Sequence, residues 1–430
     1  MTDGGTVSDA GDLEAAFTRE AETAGLVLPT KHRFDPWEAL VVAVAIVVVA
    51  AGIGTAAGWL NFRTPTTASG GGFETPTCNV PRVVATGSVS SSLDPSFSSW
   101  LSAAAVQLSQ AAGGCFEAEL GPSSGDGYSA LAGGSPAEFV ATYAPPTADE
   151  AAQLAYPVVV LPVALSAVAF VYNIPGAPTG LNLTPSAIAG IYSGTITSWA
   201  SPAITGVNPG VGLTGAPPIR VFYEGAAAES SHVVAQFLAE ANSSWAGIVG
   251  SALPGAAPTG TDESSDAAMD AAVAATPGAV GFVTVVGSAP QGLGIADIED
   301  LAGNFTALNP ATVWVAANSL AGAPAVTGGN WSGFSLVGAT APGSYPLSEL
   351  SYFALYHDLG TAFSGALNLT SATWLLSFVY WLTGSETAAP LPPAYVAETL
   401  SALNNETYYG TPIVHLDNEN GETGGETGEF

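Results

Sequence analysis

Two stretches of the sequence have the makings of an anion site. S-V-S-S-S-L-D-P at 88–95 and G-P-S-S-G-D-G at 121–127 are Ser- and Gly-rich turns that follow apolar runs and open helical patterns. Such turns aim hydroxyls and backbone N–H groups at one point, and a helix N-terminus adds a partial positive charge. Hydroxyl turns of this kind also cap helices, and either role fits the residues alone. Carboxylates cluster at Asp262-Glu263 with Asp266, and at Asp297-Glu299-Asp300. Calcium takes such oxygens, but exposed acidic loops are the simpler reading. The histidines His32, His232, His357 and His415 have no metal-ligand spacing. Serine nucleophilic chemistry would need a base beside Ser91, Ser124 or Ser230. His232 follows Ser230 by two residues on a predicted helix and so points away from it. Catalysis, a metal and a cofactor are therefore not expected.

The elements that must position these residues alternate. Short β-rich runs at 83–87, Tyr156–Val160, Ala167–Tyr172, Ile219–Phe222 and Val280–Val286 are interleaved with helical patterns at Ser96–Ala111, Ser186–Tyr192, Ser230–Asn242 and Trp374–Leu382. This is an α/β pattern, and 430 residues suffice for one large two-lobed unit or two domains.

Charge excludes whole classes of partner. The formal net charge is −30, with 6 Lys and Arg against 36 Asp and Glu. Residues 83–430 hold 27 acids and one cation, Arg220. No basic surface can form there, so nucleic acid is excluded as a partner. Charged residues are only 10% of the chain, against about 25% in ordinary domains. The lysines are missing while the acids are near their usual number, which points to an exported or acid-exposed surface.

From Ala39 to Phe62 no residue is charged. These 24 residues make roughly 36 Å of helix, enough to cross a bilayer. Trp37 and Trp59 stand at its ends, and Arg19, Lys31 and Arg33 on the N-terminal side outnumber Arg63 on the other. We expect a cytoplasmic tail at 1–36, an uncleaved transmembrane anchor at 37–62 in contact with lipid, and a flexible Gly/Thr/Pro stalk at 63–79. A folded extracellular domain at 80–410 and a disordered acidic tail at 411–430 complete the expected single-pass membrane protein.

Cys78 and Cys115 both fall outside the membrane, where oxidation is permitted. A disulfide is the natural reading, contributing on the order of 4 kcal/mol in the chain-entropy account. Metal binding is the weaker alternative, because two thiols without clustered histidines make half a ligand set. Six glycosylation sequons begin at Asn182, Asn242, Asn304, Asn330, Asn368 and Asn405, with Pro185 placed to hinder the first.

A wider pattern carries a family resemblance. V-Y-N-I-P-G-A-P-T-G-L-N-L-T from Val171 is followed by I-Y-S-G-T-I-T-S-W and S-P-A-I-T-G-V-N-P-G-V. Then come P-P-I-R-V at 217–221, P-G-A-V-G-F-V at 277–283, A-G-N-F at 302–305, P-G-S-Y-P-L at 342–347, and W-L-L-S-F-V-Y-W-L-T-G with P-L-P-P. In this order, over about 83–405, the segments resemble the PstS family, the phosphate-binding subunits of bacterial and archaeal phosphate ABC importers. The resemblance implies a two-lobed periplasmic-binding-protein fold of type II, with lobe I at about 80–165 and 300–410 and lobe II at about 166–299. It further implies a cleft that closes on an oxyanion and delivers it to an ABC permease without catalysis.

Carried over residue by residue, the resemblance puts Ser91 and Ser92 in the first ligand loop, Ser123 and Ser124 in the second, and Thr142 with Tyr143 in the third. Tyr143 stands where the family has an aspartate. In the fourth loop the family's arginine becomes Glu224, its serine Ala228 and its close-approach glycine Glu229; only Ser230 keeps a hydroxyl. Each carboxylate about 4 Å from an anion at neutral pH costs on the order of 1–4 kcal/mol. Phosphate binding is therefore expected only where Glu224 and Glu229 are protonated. A neutral or positively charged solute held by Glu224, Glu229 and Tyr143 is a variant of the same role, and a ligand-free surface or scaffold domain is the alternative. Arg220, four residues before Glu224, is expected either to pair with it or to serve as the anion's cation.

Overall fold

The computed structural model describes residues 86–90, 100, 117–121, 124–134, 137–225, 228–241, 260–286, 290–320, 331, 333–364, 367–384, 391–413, 415–416 and 423–424. All lie in one compact unit, Thr75–Phe430. The expected membrane span at 37–62, the stalk, Cys78, Cys115 and the sequons at Asn242 and Asn330 lie outside the described residues. Among the described residues no helix is long and apolar enough to cross a membrane.

The fold is mixed α/β, as the alternation predicts. Its main sheet comprises β1 (Thr86–Ser90), β2 (Glu117–Gly121), β3 (Phe139–Thr142), β4 (Val158–Asn173), β6 (Arg220–Glu224), β7 (Thr261–Glu263), β8 (Ala279–Val286) and β11 (Ser348–Tyr356) in the order β2-β1-β3-β11-β4-β8-β6-β7. A side branch of β5 (Leu181–Leu183), β9 (Gly294–Glu299) and β10 (Phe305–Thr306) joins it where β9 pairs with β4. The helices include α1 (Ser124–Ser129), α2 (Ala148–Ala151), α3 (Pro185–Tyr192), α4 (Glu229–Ala241), α5 (Asp266–Ala275), α6 (Pro310–Leu320), α7 (Leu369–Gly384) and α8 (Pro393–Leu403), with short turns of helix at Pro202–Thr205 and Leu359–Ala362.

Strand β4 spans what the sequence suggests are two strands. Its first half pairs antiparallel with β11 and its second half with β8. Pro162 interrupts the apolar run, and a proline cannot donate to a ladder. The structure absorbs it at a register shift: Ser351 faces Ala164 while Tyr352 faces Pro162, leaving Val163 as the extra residue of a bulge. Because β4 is covered on both faces, Val159 to Tyr172 are buried without alternation.

Local signals fix the helix starts. Thr147 and Glu150 form a reciprocal capping box on α2. Thr184 caps α3 with Pro185 at its first position, and Ser265 caps α5. One core cluster packs Phe170, Tyr192 and Phe282 of β4, α3 and β8 together, and another packs α7 (Trp374, Phe378, Trp381) on β3 and β11. In the region 411–430, expected to be a disordered tail, Thr411–Pro412 pairs with Thr407–Tyr408 of the folded domain, and His415–Leu416 pairs with Thr423–Gly424.

Several polar sequence features are structural. Asp300 is buried, not on an exposed loop; its carboxylate accepts the N–H groups of Ala302 and Asn304, both at 2.8 Å. Asp266 accepts the Thr284 N–H at 2.9 Å. Among the described residues no three His, Cys, Asp or Glu side chains are placed to hold a metal ion. Asn182, in β5, donates to the Val207 carbonyl at 2.9 Å and is half-buried, which hinders its sequon more directly than Pro185 does. Asn304, Asn368 and Asn405 are exposed.

Candidate functional site

Where β3 ends, the chain turns through Tyr143, Ala144 and Pro145, and the Tyr128 hydroxyl of α1 fixes this turn by donating to the Ala144 carbonyl at 2.9 Å. The turn forms one wall of a cavity of about 190 Å3. Glu229, His232 and Gln236 of α4 form a second wall, the loop Phe334–Val337 a third, and Glu349, Leu350 and Tyr352 of β11 the floor. Gln236 ties two walls together by donating to Ser335 Oγ at 3.1 Å. The cavity thus lies at the C-terminal end of a sheet strand and beside a helix N-terminus, a usual place for a ligand in α/β folds.

Two buried polar side chains on this cavity have no hydrogen-bond partner among the described residues. They are the Tyr143 hydroxyl, on a residue 3% exposed, and both carboxylate oxygens of Glu349, on a residue 6% exposed. Buried polar groups are nearly always paired, and these two share one small cavity. No Lys or Arg occurs among the lining residues.

The electrostatics follow from burial and crowding of like charge. Burial pushes the Glu349 carboxyl well above the usual range, and Glu229 and Asp266 add to the shift. Burial raises Glu229 to about 7, helped by Glu150. Glu224 also rises to about 7 through burial and Asp266, despite the opposing hydrogen bond from Ser230. The Tyr143 phenol is pushed up by burial and then by Asp266, Glu349, Glu229 and Glu224, so four carboxyls surround it.

Of the residues expected at the site from sequence, Tyr143 and Glu229 line the cavity. Glu224 and Ser230 are buried outside its lining and bound to each other: Ser230 Oγ donates to the Glu224 carboxylate, while Ser231 Oγ donates to the Glu224 carbonyl at 2.6 Å. Thr142 is fully buried, and its hydroxyl accepts the Ala144 N–H at 3.4 Å. Ser91, Ser92 and Ser123 lie outside the described residues, and Ser124 opens α1 with its side chain outside them. Arg220 is exposed at the start of β6 whereas Glu224 is buried at its end. Four strand residues span about 13 Å, so of the two roles expected for Arg220 the pairing with Glu224 is not seen, and Arg220 is not among the residues lining the cavity. His232, expected to point away from Ser230, stands at the rim of the cavity, whose lining does not include Ser230.

Sequence reasoning missed Glu349, Tyr352 and the 334–337 loop. A signal existed for Glu349, a single acid within the apolar run L-S-E-L-S-Y-F-A-L-Y that follows the P-G-S-Y-P-L segment.

Comparison with known proteins agrees with the PstS resemblance. The phosphate-binding protein PstS 3 of Mycobacterium leprae is 28% identical over 200 residues, which is 45% of this chain and 52% of that protein, so the chain spans about half the length of this relative. A phosphate-binding protein from Stenotrophomonas maltophilia has a similar structure, with a TM-score of 0.55 and 18% identity over 76% of this chain and 96% of its own. A human phosphate-binding apolipoprotein gives a TM-score of 0.51 and 15% identity over 75% and 99%. At these identities the structures speak for the fold alone. The family model of the PBP superfamily domain matches residues 65–386, and on that match, with the fold in agreement, the chain belongs to the PBP superfamily.

Proposed function

We propose that the chain is an extracytoplasmic solute-binding protein, tethered to the membrane through residues 37–62, that captures a small solute in the Tyr143–Glu229–Glu349 cavity for an ABC permease. The two-lobed organisation expected from the PstS resemblance supplies the closing motion. The observation that carries the reading is the pair of buried, unpartnered polar side chains on the cavity wall, Tyr143 and Glu349. A scaffold gains nothing from them, since each unsatisfied buried group destabilises the fold by about 1–3 kcal/mol.

Phosphate or a related small oxyanion is the ligand that the relatives' names suggest. In this cavity it is admitted only with protons, because ionised Glu229 and Glu349 repel it whereas neutral carboxyls donate hydrogen bonds to it. With Glu224 and Glu229 titrating near 7, calorimetric titration of the full chain with phosphate is expected to give no heat at pH 8 and saturable binding at pH 5. Tight binding at pH 8 would mean that the carboxyls do not face the ligand. A ligand-free surface domain is the second reading, favoured by the lack of Lys and Arg among the lining residues; silence at both pH values, toward every small solute tried, would select it.

A further inference from the structure

The residues around the cavity divide unequally into donors and acceptors. Among the described residues, the nearby hydroxyl and amide donors of α4 are committed within the protein: Ser230 donates to the Glu224 carboxylate, Ser231 to the Glu224 carbonyl, and Gln236 to Ser335 and Glu240. The N-terminal turn of α4, the natural anion seat of this helix, carries Glu229. The chain thus fills its own anion positions with its own carboxylates. The unpartnered groups on the cavity among the described residues are both oxygens of Glu349, acceptors when ionised, and the Tyr143 hydroxyl, which can donate or accept. These lie among apolar and aromatic walls that include Phe334, Leu336, Val337 and Tyr352.

We infer that at neutral pH the cavity takes a small organic cation, a compact ammonium compound whose charged head meets Glu349, Glu229 and the Tyr143 oxygen while its carbon part rests on Phe334 and Leu336. This inference rests on the solute-receptor reading and specifies the ligand's chemical class. A bare metal ion fits less well, because among the described residues no three acidic or histidine side chains converge as a ligand set. An ammonium head needs no such convergence: it satisfies acceptors on opposite walls and is attracted to ring faces. It also offsets like charge that the fold otherwise leaves crowded, and it brings the carboxyls into their ionised form as it binds. At about 190 Å3 the cavity is below the usual range for drug-sized ligands, about 300–1,000 Å3, which limits the solute to a few heavy atoms.

The test is calorimetry and thermal melting of the full chain at pH 7.5 with ethylammonium chloride, tetramethylammonium chloride, sodium phosphate and, as the ionic control, sodium chloride. The expected result is saturable binding and a melting point raised by several degrees with at least one organic cation, without a matching effect of sodium chloride. Glu349→Gln and Glu229→Gln are each expected to weaken that binding at least tenfold while retaining native near-ultraviolet circular dichroism. Should either variant fail to fold, Tyr143→Phe, which keeps the ring, is expected to weaken it severalfold. Phosphate binding at pH 7.5 without cation binding would overturn the ligand class and leave the receptor reading standing. Silence toward all four salts would overturn the cation assignment, while the receptor reading would still be decided by phosphate titration at pH 5. Cation binding unaffected in the folded variants would overturn the assignment to this cavity.

Discussion

At the scale of single residues, Tyr143 separates a ligand site from a packed core. Its ring packs into the core around β3 and β11, whereas its hydroxyl is buried without a partner among the described residues. Deleting an orphan hydroxyl while keeping the ring removes a desolvation penalty of about 1–3 kcal/mol. Tyr143→Phe should therefore stabilise the protein by about 1 kcal/mol in urea denaturation at pH 5, where Glu224 and Glu229, raised to about 7, are largely neutral. A loss of 1 kcal/mol or more would show that the hydroxyl has a partner and that the site argument is wrong there. The sequence made Tyr143 and Glu229 legible because each departs from the family pattern in a recognisable loop, Tyr143 standing for an aspartate and Glu229 for a glycine. It hid Glu349, because an acid within an apolar strand is identified by what lies across the sheet from it, and sequence order does not contain that information. Ser230 misled for a related reason: a surviving hydroxyl suggests a free donor, yet its proton goes to Glu224 six residues away.

At the scale of elements, the quoted motifs prove to be joints between segments far apart in sequence. Gly278, from P-G-A-V-G-F-V, precedes β8 with φ of +85°, and its carbonyl accepts both the Trp199 indole N–H at 3.0 Å and the Arg220 N–H at 3.1 Å. Trp199 ends I-Y-S-G-T-I-T-S-W and Arg220 belongs to P-P-I-R-V, so three motifs meet at one carbonyl. A Cβ at Gly278 would come within 2.4 Å of the Pro218 carbonyl oxygen, which is backbone and cannot swing aside. Left-handed backbone adds about 1–2 kcal/mol for a residue with a side chain. Gly278→Ala is thus expected to cost about 2 kcal/mol or more, read as a lower urea midpoint with an unchanged slope; a variant within 0.5 kcal/mol of the parent would show that this joint is not rigid. Helix positions were legible through caps and prolines, as at Thr184-Pro185. The continuity of β4 was not, because Pro162 looks like a strand end until its place at the bulge opposite Ser351 and Tyr352 is known.

At the scale of the whole molecule, the buried acids and the net charge act in the same direction as pH rises. Burial, with neighbouring charges, raises Glu224 and Glu229 to about 7, Asp270 to about 6 and Glu406 to about 9, while Glu349 lies well above its usual range. A carboxyl whose folded value exceeds the ordinary 4.5 of glutamate binds its proton more tightly in the native state. Its contribution to stability is fully present below about pH 4.5 and is lost as pH rises through 7. Asp358 behaves oppositely, because N–H donors from Thr361 and Gly410 outweigh its burial and hold it near 2, so its contribution fades only under strong acid. With a formal charge of −30 at pH 7, surface repulsion adds to the loss at high pH. The melting temperature of the full chain is therefore expected to peak near pH 4–5 and to fall by several degrees by pH 8. Salt separates the two causes, because a Debye length of about 10 Å at 0.1 M screens exposed charges but not the buried ones. Raising salt at pH 8 should recover only part of the fall, and the remainder should diminish in Glu349→Gln and Glu229→Gln. A melting profile that is flat, or highest at pH 8, would mean that these carboxyls are ionised without strain in the folded protein, and the crowded, donor-poor cavity proposed above would lose its physical basis.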